Sequence, residues 1–152
     1  MNAAEPNRLR GKILVVEDDA EAAYFAVHVL TTMGQFDVTH TFDPAVALRL
    51  ASSEPWDLVL TDMEMPGMNG LQLLEALRLA APALPVAVIT AHAIASTIAG
   101  TLRKNADGFL EKPVSPSRLI AVATTLISKA RDEQARRPGQ DPDRPATAAP
   151  RP

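Results

Sequence analysis

Leu58-Val-Leu-Thr-Asp62-Met-Glu-Met-Pro-Gly-Met-Asn-Gly70 is the stretch on which the fold turns. Leu58 to Thr61 is an uncharged, mostly apolar run, and it ends in Asp62. A short continuous apolar run bounded by turn signals reads as a strand buried on both faces. Four runs of the same kind surround it: Ile13–Val16, Phe36–Thr41, Val86–Thr90 and Gly108–Leu110. Segments of helical period lie between them. Residues 20–33 set Ala23, Tyr24, Ala26, Val27 and Leu30 at helical spacing. Asp43-Pro44 is a cap followed by proline at the first helical position, and opens a helix through Ala51. Asn69 to Leu79 carries Leu71, Leu73, Leu74 and Leu77. Residues 94–103 form a weaker helix with Gly100 inside it. Ser115-Pro116 repeats the cap-plus-proline start and opens a last helix with Leu119, Ile120, Val122, Leu126 and Ile127. This alternation predicts an α/β fold: a doubly wound, five-stranded parallel sheet with helices on both faces.

With 152 residues, the chain has room for one ordinary domain. Residues 1–10 are expected to be a flexible N-terminus and 11–130 the domain. Residues 131–152, rich in proline, arginine and alanine, are expected to be a disordered tail without helix pattern after about Ala135. A hydrophobic fraction of 47% supports a real core, and a net charge of −3 gives no field that would draw the chain to nucleic acid or an anionic membrane. The absence of cysteine excludes disulfide frameworks, thiolate metal sites and thiol nucleophiles. Met1 to Arg10 has no apolar core of a secretory signal, and the expected location is the cytoplasm. Leu79 to Leu102 contains no charged residue, but Pro82 and Pro85 break it and His92, Ser96 and Thr97 dilute it. A buried strand followed by an uncharged helix explains this stretch better than a membrane span.

Active groups in a parallel α/β sheet collect at the carboxyl ends of the strands. Here strand one ends in Glu17-Asp18-Asp19, strand three in Thr61-Asp62 and strand four in Thr90, while Lys112-Pro113 follows strand five. Each taken alone is bland: a helix cap, a strand-end hydroxyl, a solvated lysine. Together and in this order they form a constellation. Carboxylates gathered at one edge repel each other unless a cation sits between them, and a hard divalent ion with oxygen ligands, commonly Mg²⁺, suits them. A carboxylate beside such an ion is a nucleophile toward phosphorus, and a lysine and a hydroxyl suit the charge on the transferring oxygens.

The motifs Ile13-Leu-Val-Val-Glu-Asp-Asp19, Leu58 to Gly70, Val86-Ala-Val-Ile-Thr-Ala91 and Ala106-Asp-Gly-Phe-Leu-Glu-Lys-Pro113 together resemble the receiver domain of two-component response regulators, over about residues 11–130. The resemblance implies a flavodoxin-like (βα)5 fold with strand order 2-1-3-4-5, of the stand-alone, chemotaxis-regulator-like kind. It implies Asp62 as phosphoacceptor, Mg²⁺ bound by Asp18, by Glu17 through water, by Asp62 and by the Met63 carbonyl, and Lys112 in contact with the phosphoryl group. Thr90 and Phe109 are the implied switch pair. Two departures stand out. The acidic pair is Glu17-Asp18 where Asp-Asp is also common, and Phe109 replaces a frequent tyrosine, so its inward and outward rotamers differ only by packing. Glu64 and His92 occupy positions that in the family tune phosphoryl lifetime. A cis Lys112-Pro113 peptide is expected as well, to turn Lys112 back over the strand ends.

The implied partners are a sensor histidine kinase or histidine phosphotransfer protein, and a downstream protein target reached through the 91–130 face. A phosphorylation-dependent homodimer is among the assemblies considered. The helix at 94–103, with Ile94, Ile98 and Leu102 and no charge before Arg103, is the expected output surface. No nucleic-acid partner is expected: residues 131–152 are too few for a helix-turn-helix domain, and the tail's arginines are balanced by Asp132, Glu133, Asp141 and Asp143. A phosphatase of the haloacid-dehalogenase class is the enzymatic alternative, but its first strand ends in Asp-x-Asp, whereas the first strand here ends in Glu17-Asp18-Asp19. A degenerate receiver used only as a scaffold is disfavoured because every required residue is present. No turnover of an external substrate is expected. Trp56, six residues before Asp62 at about 3.3 Å per residue, should pack at the opposite end of the sheet.

Overall fold

A computed structural model describes residues 10–91 and 105–136. The strands are β1 (Lys12–Val16), β2 (Asp37–Thr41), β3 (Leu58–Asp62), β4 (Val86–Thr90) and β5 (Gly108–Glu111). The helices are α1 (Ala20–His28), which continues into a π turn over Val29–Met33, α2 (Pro44–Ser53), α3 (Gly70–Ala80) and α4 (Pro116–Arg136). The strands form one parallel sheet in the order β2-β1-β3-β4-β5, the order that the family resemblance implies. His92 and the helix expected at 94–103, with the output surface placed on it, lie outside the described residues.

Alternation within each strand builds two cores. Ile13, Val15, Leu58 and Leu60 join Ala26, Leu30, Leu119 and Ala123 on the side of α1 and α4. Leu14, Val16, Val59 and Val88 join Ala47, Leu73, Leu74 and Leu77 on the side of α2 and α3. Successive strand side chains point to opposite faces, so a sheet covered on both sides demands an unbroken apolar run. Each fully buried Leu, Ile or Val contributes about 1.5–3 kcal/mol. The caps follow the sequence. Asp43 accepts from the Ala45 amide, and Ser115 Oγ accepts from the Arg118 amide. Asn69 and Gln72 close a reciprocal box at the start of α3.

Two expectations need correction. Tyr24, at helical spacing with the apolar residues of α1, is 74% exposed and stacks on His28 instead of joining the core. The buried stripe is Ala23, Ala26, Val29 and Leu30, the three- and four-residue spacing of one helical face, and Tyr24 stands one position off it. The tail expected from residue 131 begins instead as helix, for α4 runs to Arg136. Arg131-Asp-Glu-Gln-Ala-Arg136 has no large apolar residue, so its hydrophobic period is silent, but extending a helix already docked needs no new nucleus. Arg131 also pairs with Asp57 at 3.6 Å. Residues 137–152 lie outside the described residues.

Trp56 packs, half-buried, at the amino end of β3, with Nε1 donating to the Leu50 carbonyl at 2.9 Å and Lys12 Nζ 4.3 Å from its ring centroid. Among the described residues no helix is long and apolar enough to cross a membrane. Arg78, at the end of α3, ties three segments together. It donates to the carbonyls of Asn105 and Leu84 at 2.7 and 2.6 Å and to Asp107, which also accepts from the Val86 amide. Arg78→Ala leaves these acceptors without their charged donor and should cost about 2–3 kcal/mol. Urea unfolding checks this, and a loss under 0.5 kcal/mol would show that the clamp is idle.

Candidate functional site

Topology brings the polar strand ends to one edge. β1 and β4 flank β3, so the residues that follow Val16 stand beside Asp62, and the chain leaving β5 returns over the same edge. Glu17 and Asp62 are buried, with 4% and 5% exposure, and Asp18 is exposed. One carboxylate oxygen from each of the three lies within 4.8 Å of the others. Asp19, the fourth acid of the set, does different work: its side chain accepts from the Ala22 amide and caps α1. Lys112 reaches in from beyond β5, with Nζ 3.4 Å from Asp62 Oδ1 and 3.6 Å from Glu17 Oε1. The Lys112-Pro113 peptide is cis, as expected.

The electrostatics follow from this crowding. Burial, reinforced by the nearby Asp62 charge and opposed by Lys112, pushes the Glu17 carboxyl from 4.5 up to about 7. Burial also disfavours the Lys112 ammonium, but Glu17 and Asp62 outweigh it and hold the lysine above its ordinary value. Glu17 Oε1 is buried without a hydrogen-bond donor among the described residues. Lys112 stands at ion-pair distance from it, not at hydrogen-bond distance. An orphaned buried carboxylate oxygen beside two further acids fits a hard divalent cation with oxygen ligands.

The other expected residues are near. Thr90 is 3% exposed at the end of β4, and its carbonyl accepts from the Lys112 amide at 2.8 Å, which ties β4 to the lysine. Phe109 pairs with Val88 in the ladder and packs half-buried against the α2–α3 core. The Met63 carbonyl, expected among the cation's ligands, accepts from the Gly70 amide at 2.9 Å, and a carbonyl oxygen has a second lone pair. Glu64 is exposed on the rim.

Sequence reasoning missed what shapes the loop after Asp62. Gly67 holds a φ of 83°, a left-handed conformation that glycine adopts without strain. A Cβ on Gly70 would stand 2.6 Å from the Asp62 carbonyl oxygen and 2.8 Å from Met63 Cα. Gly70 therefore lets α3 start directly against the backbone of the acidic site. The glycines were visible in the sequence, but the close approach was not. A crevice of about 390 Å³ adjoins the site, walled by Ala22, Phe25 and Ala26 of α1 and by Pro113, Val114 and Leu119.

Comparison with known proteins agrees with this arrangement. The family model described as the response regulator receiver domain matches residues 13–124, and the chain belongs to that family. It is 32% identical over 125 residues to the DNA-binding transcriptional regulator NtrC of Salmonella typhimurium, covering 82% of this chain and 26% of that protein. It is 35% identical over 127 residues to the DNA-binding response regulator MtrA of Mycobacterium tuberculosis, covering 84% of this chain and 55% of that protein. A solved receiver domain of the Francisella response regulator 1452 superposes with a TM-score of 0.70 at 29% identity, over 78% of this chain and 98% of that one. The chain thus spans about a quarter to a half of the length of these curated relatives, and matches the isolated receiver domain nearly end to end.

The raised pKa of Glu17 predicts how the metal-free protein responds to pH. Between pH 4.5 and about 7 the folded state holds a proton on Glu17 that the unfolded state has released. Stability from this group is therefore complete below pH 4.5 and is lost as pH rises through about 7. Glu17→Gln should flatten that part of the stability curve in urea titrations run in chelator. An unchanged slope in the variant would assign the effect to another group.

Proposed function

We propose that this receiver domain takes a phosphoryl group on Asp62 from a sensor histidine kinase or a histidine phosphotransfer protein, and signals through a protein surface. The observation that carries the reading is the contact of Lys112 Nζ with the buried Asp62 Oδ1 at 3.4 Å, inside a three-carboxylate cluster. Membership of the family supports it.

In this reading an Asp62 carboxylate oxygen attacks phosphorus. The bond from phosphorus to the donor atom breaks, and an acyl phosphate remains on Asp62. Lys112 is placed to meet the oxygens of the arriving group, and the burial of Asp62 keeps bulk water away from it. Glu17, Asp18, Asp62 and the Met63 carbonyl would hold Mg²⁺, which when bound neutralises charge on the transferring oxygens. Glu17 and Asp18 stand beside the nucleophile, and Lys112 limits the repulsion among these acids. Thr90 and Phe109 are the switch pair of this reading, with Thr90 linked to Lys112 through the main chain. The chemistry is acceptance and loss of a phosphoryl group on the domain itself, without turnover of an external substrate. Output goes to a protein target by way of the 91–130 face. The DNA binding named for NtrC and MtrA belongs to longer proteins, of which this chain matches 26% and 55%, and the receiver reading does not require it.

Incubation with acetyl phosphate and Mg²⁺ should add one phosphoryl group, mapped by mass spectrometry to Asp62. Asp62→Asn is isosteric but a poor nucleophile, so labelling should fall below detection while the circular dichroism spectrum is kept. Labelling of the variant at wild-type level would remove Asp62 from the role.

A further inference from the structure

β2 supplies no acid to the site, yet it holds the first acid in place. The β1–β2 ladder pairs Val15 with His40 and Val16 with Thr41, and β1 ends at Val16. Glu17 lies one residue beyond, and its amide still donates to the Thr41 carbonyl at 3.2 Å. Its own carbonyl has left the ladder, and the residue is only 4% exposed. A buried carbonyl needs a donor. The His40 ring supplies it, with Nε2 2.9 Å from the Glu17 carbonyl oxygen. A carbonyl only accepts, so Nε2 carries the hydrogen. The ring is itself held: Phe42 packs edge-on against it, with centroids 4.3 Å apart and planes at 84°.

The bonded carbonyl belongs to the peptide unit that joins Glu17 to Asp18. A peptide unit is planar, so fixing its carbonyl direction fixes the torsions on both sides. Those torsions set where the Glu17 and Asp18 side chains leave the backbone, and both side chains contribute to the carboxylate cluster. We propose that His40 is a positioning residue for the cation site, acting through the Glu17–Asp18 peptide and not by ligation. This rests on the reading of Glu17 and Asp18 as parts of that site. His40 is half-buried on β2, a strand to which the sequence assigned no role in the site.

The test measures Mg²⁺ affinity of the full chain by isothermal titration calorimetry. His40→Phe keeps an aromatic ring against Phe42 and removes the donor, and should weaken Mg²⁺ binding about tenfold, the lower edge of what loss of an outer-shell partner does. His40→Gln places an amide nitrogen where Nε2 stood and should return affinity to within about twofold of wild type, whereas the shorter His40→Asn should not, a contrast that holds even if the phenylalanine variant fails to fold. A wild-type affinity in His40→Phe, or glutamine no better than asparagine, would overturn the proposal. Glu17→Gln separates the two readings. If it leaves Mg²⁺ affinity unchanged, the cation site itself is misassigned. If it weakens binding while His40→Phe does not, only the positioning role falls.

Discussion

Two carboxylates, Glu17 and Asp62, are buried side by side at the carboxyl edge of the sheet, and the ammonium of Lys112 stands against both. Most of what is distinctive in the structure answers to that arrangement. Burying one uncompensated charge costs several kcal/mol, and two like charges together cost more. Lys112 offsets part of that cost but cannot complete it, because Glu17 Oε1 still lacks a hydrogen-bond donor among the described residues. The residual strain appears as the raised pKa of Glu17. The edge is therefore short of positive charge by construction, and a cation together with an incoming group that needs a nucleophile both suit it.

The fold bears the cost of this edge elsewhere. The three inner strands, β1, β3 and β4, are buried on both faces, and two separate cores clamp the sheet. The chain beyond each strand is then fixed by specific bonds. Asp19 caps α1 and so keeps that helix start out of the cluster. The Gly70 amide returns to the Met63 carbonyl and closes the loop after Asp62. The Thr90 carbonyl takes the Lys112 amide, and His40 takes the Glu17 carbonyl. A site built on loop residues gains its rigidity from such main-chain anchors, since the side chains alone repel one another.

At the other end of the sheet the contacts are of a different kind. Lys12 lies over Trp56 and pairs with Glu54, and Asp57 accepts from the Lys12 amide and pairs with Arg131. None of these side chains belongs to the acidic edge. They join the start of β1, the entry to β3 and the outer turns of α4, which is packing and not chemistry. The separation of a stabilising end from a reactive end is what a parallel sheet provides, because all of its strands point the same way.

The sequence by itself determined the five strands, the burial of the inner three on both faces and the acidic and basic residues at their ends. Those features repeat along the chain with a period, or sit at a boundary between apolar and turn residues, and both signals are local. The helix starts were equally legible, since Asp43-Pro44 and Ser115-Pro116 each set a capping side chain before proline at the first helical position. Only the tertiary structure decided how the Glu17-Asp18-Asp19 triplet divides its labour, with two acids in the cluster and one on a helix cap. It also decided that Tyr24 faces outward, that α4 continues to Arg136, and that Arg78 and His40 reach across to other elements. These outcomes depend on which face of a helix packs on the sheet, on a helix that propagates without apolar residues, and on partners 23 and 27 residues apart in the chain. No local pattern encodes such distances, because the bonds exist only once the sheet order has set the strands side by side.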